Sequence, residues 1–192
     1  MEYYDKMAPT FIQDTLEVDM SFAIKRFLTH VPDGGAILDA GCGSGRDSKT
    51  FSDNGYFVTA FDASHSMVRF ASKHSGVPVK HLQFQEIRWD NKFDGIWCCA
   101  SLLHIPAIDL QPTLRLIYQA MKVGSICYMS FKYGQGERLD QGRIFNDQTE
   151  STLNDALSNF GSLELIDIWK SSDVRPERSS EFWLNAITRK TQ

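Results

Sequence analysis

The sequence predicts an α/β fold in which helices cover both faces of one doubly wound, mostly parallel β-sheet. Short apolar runs bounded by turn residues alternate with segments of helical periodicity over most of the chain. Two further strand-like runs, 163–169 and 182–188, follow near its end. The 192 residues, 42% of them hydrophobic, suffice for one sizeable core. We therefore expect a single domain over residues 1–192, with an N-terminal helical segment (1–30) and a sheet core (36–190).

The N-terminal segment carries apolar residues at helical spacing between Phe11 and Leu28. This pattern predicts one or two amphipathic helices. Tyr3 and Tyr4 precede them. Ordinary packing at a chain terminus explains these two tyrosines as well as a binding role does.

A buried strand followed by a glycine-rich turn comes next. Residues 36–40 form a short apolar run typical of a parallel strand, and Gly41, Gly43 and Gly45 follow at alternate positions. Residues 46–53 have the pattern of a helix. Glycine permits a positive φ and a close approach of a ligand, and a helix N-terminus offers free N–H groups. The stretch therefore predicts a ligand-binding turn, since a tight turn alone needs fewer glycines.

The spacing of the glycines indicates the class of ligand. A dinucleotide turn has the pattern G-x-G-x-x-G, whereas here Gly45 comes one residue early. Asp39 stands two residues before the first glycine, at the end of the strand. A carboxylate at this place suits a cationic ligand better than a pyrophosphate.

A second strand is predicted at 57–64. It contains Asp62, about 20 residues after the glycine turn, where nucleotide-binding α/β folds place the acid that accepts hydrogen bonds from ribose hydroxyls. A helix N-cap is the alternative for this carboxylate. Ser64 is placed to cap the next helix, and Met67 lies in its first turn.

The remaining elements follow from the same patterns. We expect a third strand at 79–87, with Gln85 and Glu86 at its exit, and a fourth strand at 93–100. A helix should run from Asp109 to about residue 121 with Pro112 in its first turn, followed by a fifth strand at 126–131. A loop at 132–145 with room for a short hairpin, a helix at 149–160 and the two closing strands complete the chain, and a polar loop that includes Glu177 joins those two strands.

At the glycine turn the sequence resembles the class I S-adenosylmethionine-dependent methyltransferases. The residues that carry the resemblance are Asp39-Ala40-Gly41-Cys42-Gly43-Ser44-Gly45, which look like the first motif of that family. The likeness covers nearly the whole chain, although Val123-Gly124-Ser125 departs from the family's usual Pro-Gly-Gly turn. It implies a Rossmann-like seven-stranded sheet of order 3-2-1-4-5-7-6 with the last strand antiparallel, and an N-terminal lid. The stretch Gly-Cys-Gly-Ser-Gly-Arg-Asp-Ser is also similar to the small tellurite-resistance-type methyltransferases.

The resemblance implies a cofactor, S-adenosyl-L-methionine, with S-adenosyl-L-homocysteine as its product. By that resemblance the glycine turn holds the methionine part, the end of the second strand holds the ribose, and the fourth strand ends beside the sulfur. An acidic residue usually meets the adenine amine, and here either Gln85 or Glu86 occupies that place. The implied cofactor-binding residues are Tyr3, Tyr4, Asp39, Gly41, Cys42, Gly43, Gly45, Arg46, Asp62, Ala63, Ser64, Met67, Gln85, Glu86, Ala100 and Ser101.

His104 is the best candidate for a general base, because it follows the fourth strand and imidazole titrates in a suitable range. A base is needed only if the methyl acceptor arrives protonated. The favoured alternative is a histidine that packs against or closes the loop. Basic and tyrosine side chains after the fifth strand could bind an anionic acceptor or simply face solvent: Lys132, Tyr133, Arg138, Arg175 and Arg178.

The composition limits the partners. The net charge is −4 and basic residues are scattered, which argues against nucleic-acid binding. No apolar run has membrane-spanning length, and the four cysteines lack zinc-site spacing, so we expect reduced thiols, no metal and a cytoplasmic protein. With only about a dozen residues after the fifth strand to grip a substrate, a small-molecule acceptor is expected, on a monomer or a homodimer.

Two other functions are compatible with the sequence. One is a nicotinamide- or flavin-dependent oxidoreductase, NAD(P) being the usual ligand of such a sheet, although the early third glycine counts against it. The other is a regulatory protein that binds the cofactor without turnover.

Overall fold

The computed structural model describes residues 2–175 and 178–192 of the chain. Glu177 of the predicted polar loop lies outside these residues. The helices are α1 (Glu2–Lys6), α2 (Ala8–Thr15), α3 (Ser21–Leu28), α4 (Arg46–Asp53), α5 (His65–Ser75), α6 (Ala107–Ala120) and α7 (Glu150–Ser158). The strands are β1 (Ala36–Ala40), β2 (Phe57–Asp62), β3 (Val79–His81), β4 (Phe93–Cys98), β5 (Met121–Lys132), β6 (Gly136–Asp140), β7 (Arg143–Asp147), β8 (Leu163–Ser172) and β9 (Phe182–Lys190).

Seven of these strands form one sheet in the order β3-β2-β1-β4-β5-β9-β8. The first five are parallel, and β9 runs antiparallel to both β5 and β8. When β6 and β7, which pair only with each other, are set apart, this is the predicted Rossmann-like order 3-2-1-4-5-7-6. The prediction of an α/β doubly wound sheet is confirmed. The parallel strands end at one edge, where the order reverses between β1 and β4, and such switch points form crevices.

The two faces of the sheet carry separate apolar clusters. In β1, Ile37 packs on the face covered by α3 and α4, and its neighbour Leu38 packs on the face covered by α6 and α7. On the first face the rings of Trp97 and Tyr128 stack 3.9 Å apart. Phe27 of α3 reaches the same cluster over Gly95, where an added Cβ would lie 2.6 Å from the Phe27 ring. The central strands are therefore held from both sides, which fixes the positions of their carboxyl ends.

The N-terminal segment contains three short helices rather than the predicted one or two. The helical spacing that runs from Phe11 to Leu28 is divided between α2 and α3 by residues 16–20. Within the described part of the chain, no helix has the length and hydropathy needed to cross a membrane.

The third strand was predicted too long. It ends at His81, and Phe84–Glu86 forms a single 3₁₀ turn. Two contacts explain the turn: the buried Phe84 ring packs 5.2 Å from that of Phe61, and the Glu86 carboxylate accepts a hydrogen bond from the Gln83 N–H at 2.7 Å. Tertiary packing here overrides the alternating pattern.

The helix predicted from Asp109 begins two residues earlier. Pro106 occupies the N-cap of α6, so Asp109 lies inside the first turn without capping, and Pro112 falls deeper in the helix than expected. The prediction at α5 is confirmed, since the Ser64 hydroxyl accepts a hydrogen bond from the Met67 N–H at 3.2 Å. The loop after β5 does contain a hairpin, formed by β6 and β7.

Candidate active site

The ends of β1, β2 and β4 surround a cavity of about 360 Å³, here called cavity A. Most of the residues predicted to bind the cofactor line it. They are Tyr4, Gly41, Gly43, Asp62, Ala63, Ser64, Met67, Gln85, Ala100 and Ser101. Residues from six separate elements meet there because the parallel strands all end at this edge.

The three glycines of the turn have positive φ values of 75°, 54° and 76°, but they serve different purposes. A Cβ at Gly41 would lie 2.6 Å from that of Ser101, and a Cβ at Gly45 would lie 2.9 Å from that of Ala71. Gly41 and Gly45 therefore allow close packing within the protein. At Gly43 a Cβ would meet only the Phe11 ring, at 3.5 Å, and would project toward cavity A.

Asp62 connects the glycine turn to the next helix. One carboxylate oxygen accepts a hydrogen bond from the Gly43 N–H and the other from the Ser64 N–H, both at 2.9 Å. Burial raises the pKa of Asp62, although these N–H donors oppose the shift. Each carboxylate oxygen can accept a further hydrogen bond, so the group can serve a ligand hydroxyl.

Several predicted residues do not line cavity A. Asp39 is buried, accepts a hydrogen bond from the Ser48 hydroxyl at 2.6 Å, and has its pKa raised to about 7 by burial and by the Asp47 carboxylate. The Arg46 guanidinium donates two hydrogen bonds, of 2.7 and 2.8 Å, to the Asp47 carboxylate. The others are Tyr3, Cys42, Gly45 and Glu86, whose side chain caps its own turn.

A second cavity of about 220 Å³, here called cavity B, adjoins the first. Both cavities are lined by Tyr4, Phe11, Ala100, His104 and Arg143, which we call the shared wall. Cavity B extends from this wall to the ends of β5, β8 and β9. Two spaces separated by a few side chains suit two reactants that must meet at one point.

His104 and Tyr4 are hydrogen-bonded within the shared wall. The Tyr4 hydroxyl lies 2.6 Å from His104 Nε2, and His104 Nδ1 lies 2.8 Å from the Ile144 carbonyl oxygen. A carbonyl only accepts, so Nδ1 carries the hydrogen and Nε2 accepts from Tyr4. Burial lowers the pKa of His104 to about 4, and Arg143 adds to the shift. The imidazole is therefore neutral at physiological pH and only a weak base.

The N-terminal segment is fastened to the same site. Asp5 accepts hydrogen bonds from the Ser64 hydroxyl at 2.7 Å and from the Ser66 N–H at 3.0 Å. These donors lower the pKa of Asp5. Since Ser64 itself lines cavity A, helix α1 is attached directly to the edge of that cavity.

Sequence reasoning assigned no individual role to Asp5, Phe11 or Arg143, although Phe11 lies in the expected N-terminal lid and Arg143 in the loop after the fifth strand. Phe11 was placed on the apolar face of a helix, which the structure shows to face the cavities. Asp5 contacts Ser64, and Arg143 acts on the charge of His104; in both pairs the partners are more than 38 residues apart in the sequence. No local pattern in the sequence could have identified them.

Comparison with known proteins finds methyltransferases among the similar sequences and structures. Residues 37–124 match the family described as a methyltransferase domain. YqeM of Bacillus subtilis, named as a methyltransferase, is 29% identical over 140 residues, which is 67% of this chain and 53% of that protein. The fold resembles Burkholderia thailandensis 1,6-didemethyltoxoflavin-N1-methyltransferase with a TM-score of 0.80 at 22% identity, over 100% of this chain and 85% of that one.

These similarities support the predicted resemblance to the class I S-adenosylmethionine-dependent methyltransferases. S-adenosyl-L-methionine is the cofactor that the resemblance implies, and the Burkholderia thailandensis structure contains bound S-adenosylhomocysteine. The ubiquinone biosynthesis O-methyltransferase of Rickettsia felis is 32% identical over 99 residues, 48% of this chain and 41% of that protein. The chain spans about half the length of the curated relatives it matches. The likeness to the tellurite-resistance-type subgroup stays a prediction.

Proposed function

We propose that this methyltransferase moves a methyl group from S-adenosyl-L-methionine in cavity A to a small molecule in cavity B. The observation that carries the proposal is the shared wall, because it places two cavities within reach of each other at the carboxyl ends of the strands. Methyl transfer requires the acceptor to approach in line with the breaking bond, and positioning supplies much of the catalysis.

The residues of cavity A fit the cofactor. Gly43 leaves space where any side chain would enter the cavity, and Asp62 can accept hydrogen bonds from ribose hydroxyls. The Ser101 hydroxyl is buried and has no hydrogen-bond partner among the described residues, so it has capacity for a ligand. We assign the adenine contact to Gln85, which lines the cavity, rather than to Glu86, whose carboxylate is engaged by Gln83. When bound, the cofactor supplies a methyl group on a positively charged sulfur.

The protein's own side chains hold the reactants and exclude water. Phe11 and Tyr4 cover both cavities from the N-terminal segment, so that segment acts as a lid. Tyr4 is held by His104, whose tautomer is set by the Ile144 carbonyl. Because its pKa is lowered to about 4, His104 is better suited to fixing Tyr4 than to deprotonating an acceptor before transfer.

The size of cavity B favours a small acceptor. Its volume of about 220 Å³ is below the usual range for pockets that hold drug-sized ligands. The segment between β5 and α7 adds only one hairpin, which offers little surface for a macromolecule. Relatives named for ubiquinone biosynthesis and for a toxoflavin precursor act, by those names, on small molecules.

Calorimetric titration tests the cofactor assignment. The purified protein should bind S-adenosyl-L-homocysteine and should not bind NADH. Incubation with methyl-labelled S-adenosyl-L-methionine and a metabolite extract should then yield labelled small molecules. Binding without any labelled product would favour the regulatory alternative, and NADH binding would favour the oxidoreductase.

A further inference from the structure

We propose that cavity B takes a flat aromatic acceptor that carries an acidic O–H or N–H, and that the acceptor binds as its anion with the negative charge near Arg143. This inference rests on the proposed methyl transfer and names the class of molecule that receives the methyl group. It draws on the rings, the charges and the hydrogen bonds that line cavity B.

Besides Tyr4 of the shared wall, aromatic side chains line cavity B from six elements of the fold. They are Phe11, Phe22, Tyr128, Phe145, Trp169 and Trp183. Ring faces favour flat, apolar partners through stacking and edge contacts. At about 220 Å³ the space suits one ring or a fused pair rather than a long chain. The shape and the lining together indicate an aromatic or heteroaromatic molecule.

The lining of cavity B contains more basic than acidic side chains, whereas the whole chain has a net charge of −4. Among the described lining residues five are basic and two are acidic, namely Arg46, Lys132, Arg143, Arg175 and Arg178 against Asp19 and Asp173. A cleft of one sign raises the local concentration of ligands of the opposite sign. It also lowers the pKa of an acid bound within it, because the nearby positive charges favour the ionised form.

Most of these cations already have carboxylate partners. Arg46 is paired with Asp47, and Lys132 and Arg175 both contact Asp173, at 3.0 and 2.7 Å. Lys132 is also paired with Glu181 and lies 4.0 Å from the Trp183 ring centroid. The pairs made by Asp173 and Glu181 form a polar end of cavity B beside the ends of β5 and β8. Arg46 lies apart from them, next to Cys99.

Arg143 differs from them. Its side chain is 15% exposed, and its Nη2 lies 3.9 Å from Asp140 Oδ2, too far for a good hydrogen bond. Its Nε is buried and has no acceptor among the described residues. The guanidinium carbon lies 4.2 Å from the Tyr3 ring centroid and 4.9 Å from that of Phe145. A buried donor without a partner is costly, so an anionic ligand oxygen or nitrogen would satisfy it.

The groups packed against Arg143 do not supply a competing anion. They are Tyr3, Tyr4, His104, Phe145, Arg138 and the distant carboxylate of Asp140. Arg143 is hydrogen-bonded to Tyr4, and Arg138 lies over the same Phe145 ring as a second positive charge. Arg143 belongs to the shared wall, so an anion beside it lies at the boundary with cavity A. The same positive charge disfavours a protonated His104, which agrees with an acceptor that arrives without its proton.

The transfer then needs no base. A lone pair of the acceptor anion forms the new bond to the methyl carbon, and the carbon–sulfur bond breaks with its electron pair going to sulfur. An anion and a sulfonium cation become a neutral methylated product and a neutral thioether. No proton moves during this step.

A fractionated extract tests the class of acceptor. A metabolite extract is separated on an anion exchanger at mildly alkaline pH, and each fraction is incubated with the full chain and methyl-labelled S-adenosyl-L-methionine. We expect label only in retained fractions, on products that absorb ultraviolet light. Labelled products from the unretained fraction, or labelled aliphatic products, would overturn the inference but leave the methyltransferase proposal intact. Absence of label from every fraction would refute both.

Variants of Arg143 test its role, with the most active fraction as the probe. Arg143→Gln should require at least about tenfold more of that fraction for half-maximal rate and should shift the pH profile to higher pH, since a charge-assisted hydrogen bond is lost. Arg143→Lys should keep the profile of the parent. Arg138→Gln is the control, because it removes one charge from the same hairpin but lines neither cavity.

The same variants distinguish the acceptor from the cofactor. Calorimetry should give a dissociation constant for S-adenosyl-L-homocysteine within about twofold of the parent for Arg143→Gln. Suppose instead that this dissociation constant rises while the amount of the fraction needed for half-maximal rate is unchanged. Arg143 then serves the cofactor, and the inference is wrong. Equal behaviour of Arg143→Gln and Arg138→Gln would also overturn it.

Discussion

Two alanine substitutions in the glycine turn should separate binding from folding. Gly43 and Gly45 both have a positive φ, 54° and 76°, which costs a residue with a Cβ about 1–2 kcal/mol. They differ in what the new Cβ meets. At Gly43 it faces cavity A with the Phe11 ring at 3.5 Å, whereas at Gly45 it lies 2.9 Å from the Ala71 Cβ and 3.1 Å from the Ala71 Cα.

The expected magnitudes follow from these contacts. Gly43→Ala should lower the free energy of unfolding by only about 1–2 kcal/mol, because no atom has to move. Gly45→Ala adds the cost of displacing the α5 backbone, about 1–3 kcal/mol, for a total of about 2–5 kcal/mol. For binding the order should reverse. Gly43→Ala should weaken S-adenosyl-L-homocysteine binding at least about tenfold, and the folded fraction of Gly45→Ala should bind nearly as the parent does.

Denaturant unfolding measures the first quantity and calorimetry measures the second. Each variant is compared with the parent under conditions in which circular dichroism shows it to be folded. The reasoning is refuted if Gly43→Ala binds S-adenosyl-L-homocysteine as tightly as the parent. It is also refuted if Gly43→Ala is destabilised as much as Gly45→Ala, since a Cβ at Gly43 would then not have the free space that the structure shows.

Other expectations follow from the same contacts. Asp62→Asn should weaken S-adenosyl-L-homocysteine binding by about 1–3 kcal/mol in calorimetry, because one ligand or backbone donor would face an amide N–H; the surface variant Asp53→Asn should leave it unchanged. Removing residues 1–20 should raise the dissociation constant of the same ligand, since Tyr4 and Phe11 would no longer cover cavity A, and normal binding would contradict the lid. The pKa of His104 is about 4 in the fold against 6.5 ordinarily, so the unfolded chain takes up the proton first as pH falls. Stability should therefore decline from about pH 6.5 to 4 by up to about 3 kcal/mol from this group, and unfolding curves of His104→Leu should lack that component. The raised pKa of Asp39 makes stability increase as pH falls, and this contribution is present in both the parent and His104→Leu.

The strand and turn positions were readable because they depend on local chemistry. A continuous apolar run predicted β1, alternate glycines predicted the turn, and Ser64 predicted its helix cap. Each of these signals lies within a few residues and needs no partner elsewhere. The predicted length of the third strand was wrong because Phe84 packs against Phe61. That contact joins residues 23 positions apart, so the local alternation of polar and apolar residues does not predict it.

The binding residues divide in the same way. Those placed at strand ends, such as Asp62 and Ala100, line cavity A because parallel strands finish at one edge. Arg46 follows the same motif, but its guanidinium turns to Asp47 and lines cavity B instead. The position of a residue in the sequence predicted where its backbone lies at the edge of the sheet. The hydrogen-bond partner of its side chain decided into which cavity the side chain points.

The sequence by itself determined the α/β class, the order of the strands through the family resemblance, the glycine turn and the edge of the sheet where cavity A lies. Only the tertiary structure decided that there are two cavities, that Tyr4 and His104 form part of the wall between them, and that Arg143 stands at this wall with a buried donor unpaired. The physical reason is the range of the interactions. Propensity, capping and glycine geometry act between neighbours in sequence. The shared wall instead depends on contacts such as that between Tyr4 and His104, which are 100 residues apart and meet only after the sheet has formed.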